Sequence, residues 1–126
     1  MKIKYPGVTV ISTTNNGGPG LARQTGLEAS NSPYVTFLDA GDIVRSKFVM
    51  KMVLKILQEN NDAYIYSFGW YNTEIKRHSY HDAWSCHSSI LKREFLDLYH
   101  IRFATDKDCS YCGEDLGFMQ LCYINL

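Results

Sequence analysis

Apolar and polar positions divide this chain into short stretches of differing period. Val8-Thr-Val-Ile-Ser-Thr13 is rich in β-branched residues and predicts a strand buried on both faces. Asn15-Asn-Gly-Gly-Pro-Gly20 ends it, a cluster that tolerates positive φ and leaves backbone N–H groups free. Leu21 to about Ala29 predicts a helix, with Ala22, Gly26 and Ala29 as a small-residue stripe for close packing, and Asn31-Ser-Pro33 breaks it. Tyr34-Val-Thr-Phe-Leu38 predicts a second strand, which stops at Asp39-Ala-Gly-Asp42.

The strongest periodicity lies over Ser46–Gln58. Val49, Val53, Ile56 and Leu57 follow the spacing of a core-facing helix stripe, and Lys47, Lys51 and Lys55 recur every fourth residue as a solvated face. Ala63–Phe68 and Trp70–Ile75 predict strands, with a turn or bulge at Gly69, and Lys76–Trp84 predicts a loop. A short strand over Ser88–Leu91, a helix over Lys92–Tyr99, an irregular Thr105–Gly113 and a last helix over Glu114–Tyr123 complete the pattern. The order β–α–β–α–β–β predicts an α/β sandwich whose first half is parallel.

Composition narrows the class without naming a function. A chain of 126 residues fits one domain over residues 1–126. Its 13 basic and 13 acidic side chains balance, which argues against a nucleic-acid-binding module. No apolar run approaches the roughly 18 residues of a membrane span, and Val8–Ile11 is too short for the apolar core of a secretory leader. Four cysteines without such a leader read as reduced thiols, hence a cytoplasmic location.

The Gly-rich turn fits neither common phosphate motif. A Walker loop needs a Gly-Lys-Ser/Thr ending, which is absent, and a dinucleotide fingerprint needs a third glycine where Arg23 stands. Asp39 lies about 20 residues beyond Gly20, where a ribose-binding acid would sit, but without that glycine the helix cannot approach the strand closely enough. Asp39 and Asp42 make a different candidate. They follow a strand's carboxyl end, where ligands of open α/β sheets bind, and two hard carboxylates there suit Mg²⁺ or Mn²⁺. The alternative is a plain turn, with Asp42 or Ser46 capping the next helix. Cys109 and Cys112 invite a zinc site with His78 and His81, or with Cys86 and His87, yet that ligand order is unusual for structural zinc.

Four motifs in order carry a family resemblance. Asn16–Gly18, Ala22-Arg-Gln-Thr-Gly26 and Phe37-Leu-Asp-Ala-Gly-Asp42 resemble the central part of the family 2 glycosyltransferases, and Gly113-Glu-Asp-Leu-Gly-Phe118 resembles the family's Glu-Asp element. The resemblance runs from about Val8 to Phe118. It implies a GT-A (Rossmann-like) α/β/α sandwich with a mostly parallel sheet, and inverting transfer of a sugar from a nucleotide-diphospho-sugar, commonly UDP-linked, to an acceptor hydroxyl with a divalent metal. By the same resemblance Asp115 is the base and Glu114 positions acceptor or metal-bound water. Asp39, Arg23 and Gly18 meet the nucleotide-sugar, Asp42 holds Mn²⁺ or Mg²⁺, and Trp84 and His87 lie on the acceptor side with Trp70 and Tyr71 as candidate stacking surfaces. Each has a plainer alternative: Arg23 as a surface residue near Glu28, Glu114 and Asp115 as acids meeting the positive end of a helix, the aromatics as packing.

The departures from the family shape two further expectations. Gly41 stands where the family often has its metal-binding Asp, and the two leading strands that hold base and ribose have no counterpart. In the resembled fold those strands separate the one matching Val8–Thr13 from the one matching Tyr34–Leu38. Direct closure of the two as a β–α–β unit is the expected solution, with a homo-oligomer or a missing N-terminal segment as the other. Such a truncated domain also admits a second function class, a degenerate or fragmentary module that binds a glycan or partner without catalysis.

Overall fold

A computed structural model describes residues 6–44, 46–79, 85–106 and 113–126. Its organising element is a short strand late in the chain. Ser89–Lys92 (β5) buries Ser89, Ile90 and Leu91, so its backbone groups cannot turn to water and must be paired on both edges. Tyr34–Thr36 (β1) pairs with one edge and Ile65–Ser67 (β2) with the other, both antiparallel, in the order β1–β5–β2. The register aligns Val35, Leu91 and Ile65 in one row across the sheet, and this row faces the core.

The mostly parallel sheet expected from the sequence is therefore not what the structure shows. β1 and β2 do run in the same direction, joined through the helix Lys47–Glu59 (α2), but β5 lies between them with the opposite sense. The alternation of elements gives the relative direction of β1 and β2; it does not say that a later strand inserts between them. Trp70–Asn72 (β3) and Arg77–Ser79 (β4) form a separate antiparallel hairpin, where a loop was expected from Lys76. Asn72 closes its turn, its Oδ1 accepting from the Glu74 and Ile75 N–H groups at 2.9 and 3.1 Å.

Three helices assemble around the core row: Gly18–Glu28 (α1), Arg93–Leu98 (α3) and Glu114–Ile124 (α4). They bring Leu27, Phe95, Leu96, Phe118, Met119 and Cys122 against Leu91 and Cys86, with Ile101 and Phe103 from the segment that follows α3. Arg93 fastens the end of α1 to the sheet, donating to the Ser32 carbonyl at 2.8 Å and to Ser30 Oγ at 2.6 Å. α2 opens where predicted, with Ser46 Oγ accepting from the Phe48 N–H at 3.2 Å, so Ser46 and not Asp42 is its cap.

Two expected packing faces are corrected. Of Val49, Val53, Ile56 and Leu57, only Leu57 is buried and Val53 half-buried, while Val49 and Ile56 are exposed. Ala22, Gly26 and Ala29 of the small-residue stripe also face solvent. The strand expected at Val8–Thr13 is absent: the segment is exposed and joins no ladder, and β1 pairs with β5 instead of closing on it. A β-branched run acquires strand structure only beside a partner, and among the described residues none lies there. No helix among the described residues is long and apolar enough to cross a membrane.

This division of packing is measurable. Phe95→Ala, at a fully buried position, should cost about 3–5 kcal/mol in urea unfolding. Leu54→Ala, at a position 56% exposed on α2, should stay within about 0.5 kcal/mol. Equal losses at the two positions would contradict the assignment of the core to the β5 side.

Candidate functional site

The chain leaves β1 through Phe37, whose ring meets Phe103 and Phe118 edge-on at 5.1 and 6.2 Å. Phe103 and Phe118 themselves stack at 3.9 Å. This aromatic trio fixes where the backbone emerges two residues later at Asp39. There the Asp42 N–H donates to the Asp39 carbonyl at 3.0 Å, closing a tight turn, and Gly41 occupies its third position with φ +100°. A type II turn requires that positive φ, which a side chain would strain. Asp39 and Asp42 thus share one solvent-facing turn.

α1 brings the basic partner. Gly18, at φ +77°, opens the helix and donates its N–H to Asn16 Oδ1 at 3.3 Å. Nearly two turns on, Gln24 is buried and anchors the helix, its Oε1 accepting from the Phe103 N–H at 3.0 Å. Arg23 is thereby held over the Phe103 ring, 5.9 Å from its centroid.

Arg23 joins two carboxylates. Its Nη2 donates to Asp39 Oδ1 at 2.9 Å and its Nη1 to Glu114 Oε1, in the first turn of α4. The arginine side chain is 12% exposed, Glu114 8% and Asp39 45%. Burial works against the guanidinium charge, but the bonds to Asp39 and Glu114 outweigh it and hold Arg23 charged above its ordinary range. Beneath them lies Cys86, in the 3₁₀ turn Cys86–Ser88 that packs against α4 and beside β1. Burial pushes its thiol up to about 12; Arg23 pulls it down and Asp115, Asp39 and Glu114 push it further up. Cys86 therefore stays protonated at neutral pH, an uncharged floor under a charged site.

The other expected site residues fall around this bridge. Asp115, next to Glu114 at the same helix end, is half-buried, and its Oδ1 accepts from the Leu116 N–H at 2.8 Å. His87 follows Cys86; Ser85 Oγ bonds its Nδ1, and the Trp70 ring stands 6.4 Å away. Tyr71 instead packs on His78 across the hairpin, at 4.6 Å. Trp84 lies outside the described residues, as do His81, Cys109 and Cys112 of the zinc reading. Two shallow recesses lie away from the bridge, one between Thr9–Thr13 and α1, the other beside Pro33, Tyr34 and Lys92. Gln24 was not singled out as a site residue from the sequence, and Cys86 was named only as a candidate zinc ligand with His87, not as the residue beneath the Arg23 bridge. A polar residue beside the motif arginine was the one available sign for Gln24.

Among the described residues no three His, Cys, Asp or Glu groups converge into a metal cage. An all-protein metal centre is thus not formed by them. Two carboxylates on an open turn do fit Mg²⁺ or Mn²⁺, which take one or two acids and complete their shell with water and substrate phosphate.

The profile described as glycosyl transferase family 2 matches residues 1–115, which takes in the Arg23 helix, the Asp39–Asp42 turn and the Glu114-Asp115 pair. The chain belongs to that family. No curated protein matches it. For this glycosyltransferase family member, the structure joins into one place motifs that stand 16 and 91 residues apart.

The bridge has an expected energetic signature. Arg23→Ala leaves the buried Glu114 carboxylate uncompensated and should lower stability by about 3–5 kcal/mol in denaturant titration. The double variant Arg23→Met/Glu114→Gln should recover much of that loss. A single-mutant cost below about 1 kcal/mol is what a solvent-screened surface contact would give instead.

Proposed function

We propose that this domain transfers a sugar from a nucleotide-diphospho-sugar, UDP-linked, to an acceptor hydroxyl with inversion at the anomeric carbon. The observation that carries the reading is the Arg23 bridge, which gathers the Ala-Arg helix, the Asp-x-x-Asp turn and the Glu-Asp pair at one site. Family membership supplies the transferase class; donor, metal and residue roles are the proposal.

The roles follow from how each carboxylate is engaged. Glu114 is buried and spent on Arg23, so it positions rather than reacts. Asp115 is the acid of the pair left for proton transfer. It accepts the hydroxyl proton as the acceptor oxygen bonds the anomeric carbon and the bond to the donor diphosphate breaks, releasing the nucleoside diphosphate. Arg23 fixes the orientation of Asp39 toward the donor, and Gly18 opens the helix whose N-terminal end favours an anionic group. His87, held by Ser85 beside Trp70, stands on the acceptor side, where Trp84 also falls in sequence. Asp42 is the residue that would hold Mg²⁺ or Mn²⁺; when bound, such an ion stabilises the charge of the leaving diphosphate as a Lewis acid.

A second reading has its own observation. The bridge sits on an open turn outside both recesses, and Val8–Thr13 has no ladder, so a module that binds a glycan or partner without turnover also fits. Donor binding separates the two. UDP with Mn²⁺ should raise the thermal midpoint of the transferase, by mass action, and Asp42→Ala should remove the metal-dependent part while leaving the ligand-free midpoint unchanged. No shift with saturating UDP and Mn²⁺ favours the binding module.

Turnover tests the base. Asp115→Asn should lower kcat by about 100-fold or more with donor affinity near normal, because the proton acceptor alone is lost. Normal turnover with reduced stability would reassign Asp115 to helix capping.

A further inference from the structure

The helix α2 is apolar around most of its circumference, yet twelve of its thirteen residues are not buried. Read in steps of four, it presents parallel rows. Val49, Val53 and Leu57 form the row turned toward the body of the protein, since Leu57 is buried and Val53 half-buried. Lys47, Lys51 and Lys55 form the solvated row. Between them runs Phe48, Met52 and Ile56, exposed by 69, 50 and 43%. Ile43 and Val44, just ahead of the Ser46 cap, extend this apolar strip and are exposed by 82 and 48%. The helix is tied down beyond its other end, where Asn60 and Asn61 receive bonds from Tyr66, Tyr34 and Lys92.

We propose that this strip is a membrane-surface site, on which α2 lies in the interface of an anionic lipid bilayer. Charge complementarity selects the occupant. From Ile43 to Gln58 the sequence has no Asp or Glu, in a chain whose total charge is zero. The acids that flank this stretch are Asp42, on the exposed turn before Ile43, and Glu59, which is paired with Lys55 at 3.6 Å. Protein–protein interfaces exclude lysine from their centres. A lipid interface favours it alongside the apolar row, because the lysine stems lie on acyl chains while the ammonium groups reach the phosphates. A helix of 13 residues, some 20 Å long, is too short to span a bilayer but sufficient to lie on one. Insertion would remove the exposed side chains of Phe48 and Met52 from water.

Flotation of the full chain with vesicles tests this. Vesicles of phosphatidylcholine mixed with phosphatidylserine should carry the protein upward, vesicles of phosphatidylcholine alone should carry much less, and high salt should release it. The triple variant Lys47→Glu/Lys51→Glu/Lys55→Glu should lower the partition at least about tenfold. Phe48→Ser should lower it several-fold at unchanged thermal midpoint, the residue being exposed. Lys76→Glu, on the exposed hairpin turn, should leave it near wild type. Failure to float, equal binding to both vesicle types, an equal loss from Lys76→Glu, or a self-association that Phe48→Ser dissolves and vesicles do not displace would each overturn the proposal.

Discussion

The site depends on one guanidinium held between two carboxylates at the edge of an apolar core. Arg23 is nearly buried, Glu114 more so, and neither charge is tolerable there alone. Asp39, nearly half exposed, is the partner that connects this pair to solvent and to the turn bearing Asp42. α1, the exit of β1 and the start of α4 must therefore arrive together, or buried charge is left unmatched. Charge-assisted bonds from a planar fork add direction, which a lysine in the same place would not supply.

The aromatic trio and Cys86 make this arrangement possible by their placement beneath it. Phe37, Phe103 and Phe118 come from three separate segments, and their mutual ring contacts fix the spacing between the loop after β1 and α4. Gln24 joins α1 to the same cluster through the Phe103 amide. The protonated Cys86 adds no charge of its own to a site where three carboxylates and one arginine already stand close. Packing sets the geometry here, and the ion pairs settle into it.

The two sides of the molecule differ in how far they are packed. Around Leu91 the chain is dense, with α1, α3 and α4 covering one row of the sheet. Val8–Thr13 and most of α2 keep large apolar side chains in water. For a glycosyltransferase family member this means that the dense part carries Arg23 and the Glu-Asp pair, while the acidic turn stands in solvent between the exposed Leu38 and Ile43, next to the exposed apolar strip of α2.

Local chemistry determined most of the elements. Ser46 fixed the start of α2, Pro33 ended the approach to β1, the Gly-Pro-Gly run opened α1, and the Gly-Glu-Asp sequence opened α4; each acts through backbone sterics or capping within a few residues. The motif residues Arg23, Asp39 and Glu114 were legible as a group because their types and order resemble a family. What they do to one another was not. That Arg23 bridges both acids, and that Glu114 is spent in doing so, depends on distances between segments remote in sequence. The insertion of β5 between β1 and β2 is likewise invisible locally, because a strand's hydrophobic pattern specifies burial of its faces and is silent about the partner at its edge. The periodicity of α2 correctly gave a helix and wrongly gave a core face: an amphipathic stripe records that a surface avoids water, and only the tertiary structure decides whether the protein itself covers it.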